Sequence, residues 1–108
     1  MNDRTLLELA ARAAGYQFSY SYRSLSSPAV PVILAETGRW RKWDPRHDDG
    51  DALRLAVDAV ILDGNAFSVW LNYRNGAMAI EGLGAREATR LAFVRVAAEI
   101  GKSMGGGE

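Results

Sequence analysis

The densest run of side chains that could bind or react is Trp40-Arg41-Lys42-Trp43, flanked by Arg39 and Arg46. Indole faces beside guanidinium groups suit stacked bases, and Arg offers a planar fork to phosphate or carboxylate. The four cations Arg39, Arg41, Lys42 and Arg46 are matched within residues 39–51 by Asp44, Asp48, Asp49 and Asp51. That balance argues against a broad phosphate-attracting surface. Two readings stand: Trp40 and Trp43 pack at a sheet edge with the charges paired locally, or they form a ligand or partner site. A second cluster, Asp48-Asp49-Gly50-Asp51, sets carboxylates around a glycine turn, as Ca²⁺ or Mg²⁺ prefers. It lacks the spaced ligands and distant Glu of an EF-hand, and acids before a helix also cap it and offset its dipole. No metal site is assigned. Gly82-Leu83-Gly84 with Arg86 could offer N–H groups and charge to a phosphate. Glu87 stands where the third glycine of a dinucleotide fingerprint would fall, and glycines at a turn also simply relieve backbone strain. His47 is the one candidate for proton transfer near neutrality. Ser19, Ser21 and Ser68 fall on predicted strands with no nucleophile elbow. Asp49 and Asp51 resemble a hydrolytic carboxylate pair no more than any two solvated acids do.

The elements that must position these groups belong to a chain of 108 residues, which fits one domain. We place the folded domain at residues 1–104 and a flexible Gly-rich tail at 105–108. Hydrophobic residues at 48% and charged residues at 24% are the proportions of an ordinary folded protein. Thirteen basic against thirteen acidic residues argue against coating of nucleic acid. The absence of cysteine excludes disulfides, thiol nucleophiles and thiolate zinc sites. No cofactor is implied. Glu8 and Arg12 interrupt the apolar stretch after Met1, and the longest near-apolar run, Ala29 to Ala35, falls far short of a membrane span. A cytoplasmic location and no membrane partner are expected.

Thr5-Leu6-Leu7-Glu8 has the form of a capping box, and Leu6, Leu9, Ala10, Ala13 and Ala14 recur at helical spacing up to Gly15. Tyr16, Phe18, Tyr20 and Tyr22 alternate with polar residues, predicting a half-buried strand. Ser24 to Pro28 reads as a loop. Ala29–Ala35 reads as a second strand, placed at an edge or bulge because Pro31 cannot donate to a ladder. Residues 39–44 continue extended. A short helix over 52–60 follows, with Leu53, Ala56, Val57 and Val60 as its inner stripe. Asn75-Gly76 between two strand-like runs predicts a β-hairpin. Its inner face would carry Val69, Leu71, Tyr73, Met78 and Ile80. Its outer face would carry Trp70 among Asn72, Arg74 and Glu81, an apolar anchor with a polar rim. A helix from about Ala85 to Met104 closes the domain. The expected fold is α+β in the order α-β-β-α-β-β-α, an antiparallel sheet of about four strands with three helices mainly on one face.

Four segments carry a family likeness: Leu6 to Gly15, Trp43-Asp44-Pro45, Asp51 to Val57, and the Arg- and Ala-rich stretch Arg86 to Gly101. Together they resemble small proteins of tailed phages and prophages similar to the NinX-like group; Tyr16 to Arg39 lies outside the likeness. The resemblance implies a phage-encoded accessory protein in the cytoplasm of a bacterial host, and it transfers no catalytic residues. The expected function is therefore non-enzymatic: neutralising a host component by stoichiometric binding of a defence or regulatory protein, or by sequestering a nucleotide signal, as a homodimer. Arg39, Trp40, Arg41, Trp43, Trp70, Asn72 and Arg74 are the candidate binding residues, with Gly82, Gly84 and Arg86 as phosphate candidates. The alternatives are a metal-dependent hydrolase using the Asp48–Asp51 loop and a nucleic-acid binder using Trp40–Trp43.

Overall fold

Asn2 begins the first helix. Its backbone is extended and its side chain accepts from the Thr5 N–H at 2.8 Å, so helix α1 runs Asp3–Ala14 and Asn2, not Thr5, is the cap. Gly15 ends it in the left-handed conformation with φ 78°, as its position predicts. The computed structural model describes residues 2–21 and 29–105. After α1 come β1 (Phe18–Ser21), β2 (Val30–Leu34), β3 (Trp40–Lys42), α2 (Asp49–Asp58), α3 (Gly64–Ala79) and α4 (Ala85–Gly105). The α+β class and the antiparallel sheet stand, but among the described residues there are three strands and four helices, in the order α-β-β-β-α-α-α. Tyr22 and the Ser24–Pro28 loop lie outside the described residues, as does the tail beyond Gly105, which itself closes α4.

The three strands pair in the order β1-β2-β3, with Phe18 opposite Ile33 and Ile33 opposite Arg41. Pro31 is therefore in the central strand, not at an edge. It sits one residue inside the strand's start, opposite Tyr20, and its carbonyl accepts from the Trp43 N–H at 3.0 Å. Phe18, Ile33 and Trp43 take one side of the sheet into the core shared with the helices. Val32, Leu34 and Trp40 are on the other side.

The predicted Asn75-Gly76 hairpin is a correction: those residues lie inside α3. An Asn-Gly pair closes a hairpin only when both flanking runs gain a sheet partner. Here helical spacing puts Trp70 and Ala77, seven residues apart, on one buried face against α4. That burial outweighs the local turn preference. The stripe of α2 is corrected too. Ala52, Leu55, Ala56 and Ala59 face inward, leaving Leu53, Val57 and Val60 exposed.

The tightest contact in the domain joins α1 to α4. Ala10, Ala11, Ala97 and Ala98 are all buried, and Gly101 lies hard against the Leu9 backbone. A Cβ on Gly101 would stand 1.9 Å from the Leu9 carbonyl oxygen. Small side chains let the two backbones approach, and this pairing forms one wall of the groove described next.

Candidate binding groove

The helices leave a groove of about 550 Å³ between the start of α1, the C-terminal half of α3 and the middle of α4. Leu6, Gly76, Ala77 and Leu91 line it, with Tyr73 and Ile80 beside them. Ile80, the residue that ends α3, is 87% exposed, the most exposed large apolar side chain among the described residues. Charged pairs border the groove. Arg46 meets Asp3 at 2.9 Å, and Arg95 grips Glu81 with two nitrogens at 2.6 and 2.9 Å. The Arg95 hydrogen bonds hold the Glu81 carboxyl below the usual carboxylate range. Asn72 and Glu99 complete the lining, and Glu99 has no ion pair among the described residues.

Of the sequence candidates, only Asn72 lies in this groove. Arg39 and Trp40 stand at the exposed end of β3, and Trp40 is 50% exposed. Trp43 is 1% exposed and packs edge-on against Tyr16 and Phe18 at 5.8 and 5.9 Å, so it is a core residue. Strand alternation and the turn out of β3 put the two indoles in different environments. Trp70 is the clearest correction. It is 8% exposed, stacks on Phe93 at 4.9 Å and 12°, and donates its indole N–H to the Thr89 carbonyl at 3.3 Å. Arg74 lies over the same indole at 5.6 Å, and its buried Nε has no hydrogen-bond partner among the described residues. Gly82, with φ 73°, turns the chain from α3 into α4, not from a strand. The Gly84 carbonyl accepts from the Ala88 N–H at 2.9 Å, and Arg86 is exposed beside a shallow cavity against α2.

The acids of the Asp48–Asp51 run are each engaged. Asp48 caps α2 by accepting from the Asp51 N–H at 2.8 Å, and Asp49 meets Arg90 at 2.7 Å. Asp51 is buried and accepts from the Asp44 N–H at 2.9 Å, from Arg54 at 2.9 Å and from Arg41 at 3.1 Å. Burial pushes its pKa up, but those three bonds outweigh burial, and the carboxyl sits below its ordinary value. Among the described residues no three His, Asp or Glu side chains gather at one point.

A second cleft, of about 650 Å³, includes Tyr20, Arg41, Trp43, His47 and Asp51. Its Arg side chains already meet carboxylates: Arg46 with Asp3, and Arg41 and Arg54 with Asp51. His47 meets Asp44 at 3.0 Å. An anion gripped by those Arg side chains would have to displace their carboxylates, leaving Lys42 as the cleft's cation with no ion pair among the described residues, whereas an apolar segment entering the α1/α3/α4 groove displaces water. The α3 groove left no direct trace in the sequence, since it depends on residues 64–79 being helical. Gly76 inside a helix is the signal that could have marked it. Compared with family models, curated proteins and solved structures, the chain finds no match. No helix among the described residues is long and apolar enough to cross a membrane.

Proposed function

We infer that the protein is a binding module, not a catalyst, and that its α1/α3/α4 groove takes an amphipathic segment of a partner protein at fixed stoichiometry. Gly76 carries the reading. A glycine inside a helix lowers stability by about 0.5–1 kcal/mol relative to alanine. Its φ is not positive, and a Cβ there would meet nothing within 4 Å. Neither backbone geometry nor internal packing requires glycine. Its effect is to keep the groove deep beneath exposed Tyr73 and Ile80. An apolar floor with a ring of paired charges is the anatomy of a protein-binding hot spot. A helical segment with aliphatic residues at i, i+4 and i+7 matches such a groove. The Glu99 carboxylate, without an ion pair among the described residues, suits a Lys or Arg on that segment's flank.

The narrower form of this reading is a phage-encoded inhibitor that neutralises a bacterial defence or regulatory protein. It rests on the segment resemblance to the phage group. The sequestration of a nucleotide signal draws less support, because the Arg side chains of the second cleft are already paired.

The test separates stability from binding at one position. Gly76→Ala should raise stability by about 0.5–1 kcal/mol in chemical denaturation. Gly76→Leu should fold and yet weaken, by at least about tenfold, the complex with the protein recovered on the tagged wild-type chain. Undiminished affinity in Gly76→Leu overturns the groove as the site. Sustained multiple turnover of any substrate overturns the binding-module reading itself.

A further inference from the structure

Helix α3 lacks the local features that hold the other helices. Asn2 caps α1 and Asp48 caps α2, and each of those helices has acid in its first turn to offset the dipole. In α4, Glu87 lies in the first turn and Lys102 in the last. In α3 the first turn holds no acid and the last turn no base, and the Asp63 side chain makes no capping bond among the described residues. Its interior includes Asn65, Ser68, Val69, Asn72, Asn75 and Gly76, all weaker helix formers than alanine or leucine. A 16-residue segment of that composition does not stay helical in water by itself, so packing must supply its order.

That packing comes from one neighbour. Among the described residues α3 packs on α4, and no other helix or strand makes a comparable contact with it. Of its side chains only Trp70 and Ala77 are buried, and Trp70 makes the attachment through Phe93 and the Thr89 carbonyl. Arg95 on α4 holds Glu81 just beyond the helix. The docked state also keeps the Arg74 Nε from water without a partner among the described residues, and release returns it to solvent. Gly64 at the start of α3 and Gly82 beyond its end have φ 55° and 73°, and a Cβ on either would meet nothing within 4 Å. The chain therefore enters and leaves α3 at glycines that neighbouring atoms do not clamp. We propose that α3 is a movable wall of the groove: it leaves α4 and loses its helix as one unit while the rest of the domain stays folded. The groove exists only with α3 docked, so a partner segment that fills it orders α3, and the open fraction lowers that partner's affinity. This use of the movement rests on the groove reading; the movement itself belongs to the free chain.

Amide hydrogen exchange on the free protein tests the movement without a partner. Amides of residues 68–79 should exchange as a single group, at least about tenfold faster than those of α4 around the buried Val94 and Ala97. Low urea should speed exchange in α4 steeply and in α3 little, because global unfolding exposes far more surface than release of one helix. Gly76→Ala, which strengthens the helix, should slow the α3 group by about two- to fivefold. Amides of α3 that exchange at the rate of α4 with the same urea dependence, that scatter into independent rates, or that ignore Gly76→Ala would overturn the proposal. None of these results bears on whether Gly76→Leu weakens a complex, so the groove reading stands or falls separately.

Discussion

Asp51 joins three parts of the chain with one carboxylate: the backbone after β3, Arg41 on β3 and Arg54 on its own helix. Removing one partner of a buried charged set is far more disruptive than removing a surface pair. Asp51→Ala should therefore cost about 3 kcal/mol in urea denaturation near neutral pH. The pH dependence has a definite sign. The folded carboxyl lies below its unfolded value, so its stabilisation is complete above about pH 4 and drains away as pH falls through the folded value. The stability gap between wild type and Asp51→Asn should narrow in acid, and a gap that widens instead would contradict this account. Tyr16 is the opposite case. Burial, then its hydrogen bond to Asp58 and that group's charge, push the phenol well above its ordinary pKa and keep it protonated as a donor. At Val60 the prediction concerns strain alone. Val60 follows α2 with φ 58° and is exposed, so Val60→Gly should raise stability by about 1 kcal/mol, because glycine accepts the left-handed turn and little burial is lost. A loss of stability in thermal melts would show that the Val60 side chain matters to the fold.

At the scale of elements, the α1–α4 pair admits a sharper prediction. Gly101→Ala drives a methyl into the Leu9 backbone, which cannot move without the helix moving. It should destabilise the domain by about 2–3 kcal/mol, read as a lower denaturant midpoint with an unchanged slope. Much of the first two-thirds of the chain was legible in its residues. The Tyr-Phe-Tyr alternation predicted β1, Gly15 marked the end of α1, and the apolar run around Val32 marked β2. The larger failures shared one cause, competition between local signals and long-range burial. Asn75-Gly76 is a strong turn signal over four residues, but Trp70 stacked on Phe93 is a contact across 23 positions that no local pattern reports. With α3 misread as a hairpin, Trp70 was assigned to the surface and the groove could not be anticipated. The α2 stripe failed more narrowly. Leu53, Ala56, Val57 and Val60 and the observed Ala52, Leu55, Ala56 and Ala59 have equally helical spacing, and only packing against α4 decides between them.

For the whole molecule, the Arg side chains of the second cleft are held by carboxylates, while the α1/α3/α4 groove combines an apolar floor with the exposed Tyr73 and Ile80. That division favours recognition of another polypeptide over chemistry on a small anion, and the central claim is that the groove is where recognition occurs. Site-specific replacement of Tyr73 by a photoreactive phenylalanine tests it most directly in bacterial cells producing the protein. Irradiation should give one discrete adduct with another protein, lost when Gly76→Leu fills the groove and absent when the same group replaces Thr37 outside it. The absence of any adduct from position 73, or adducts of equal yield from both positions, would contradict the account.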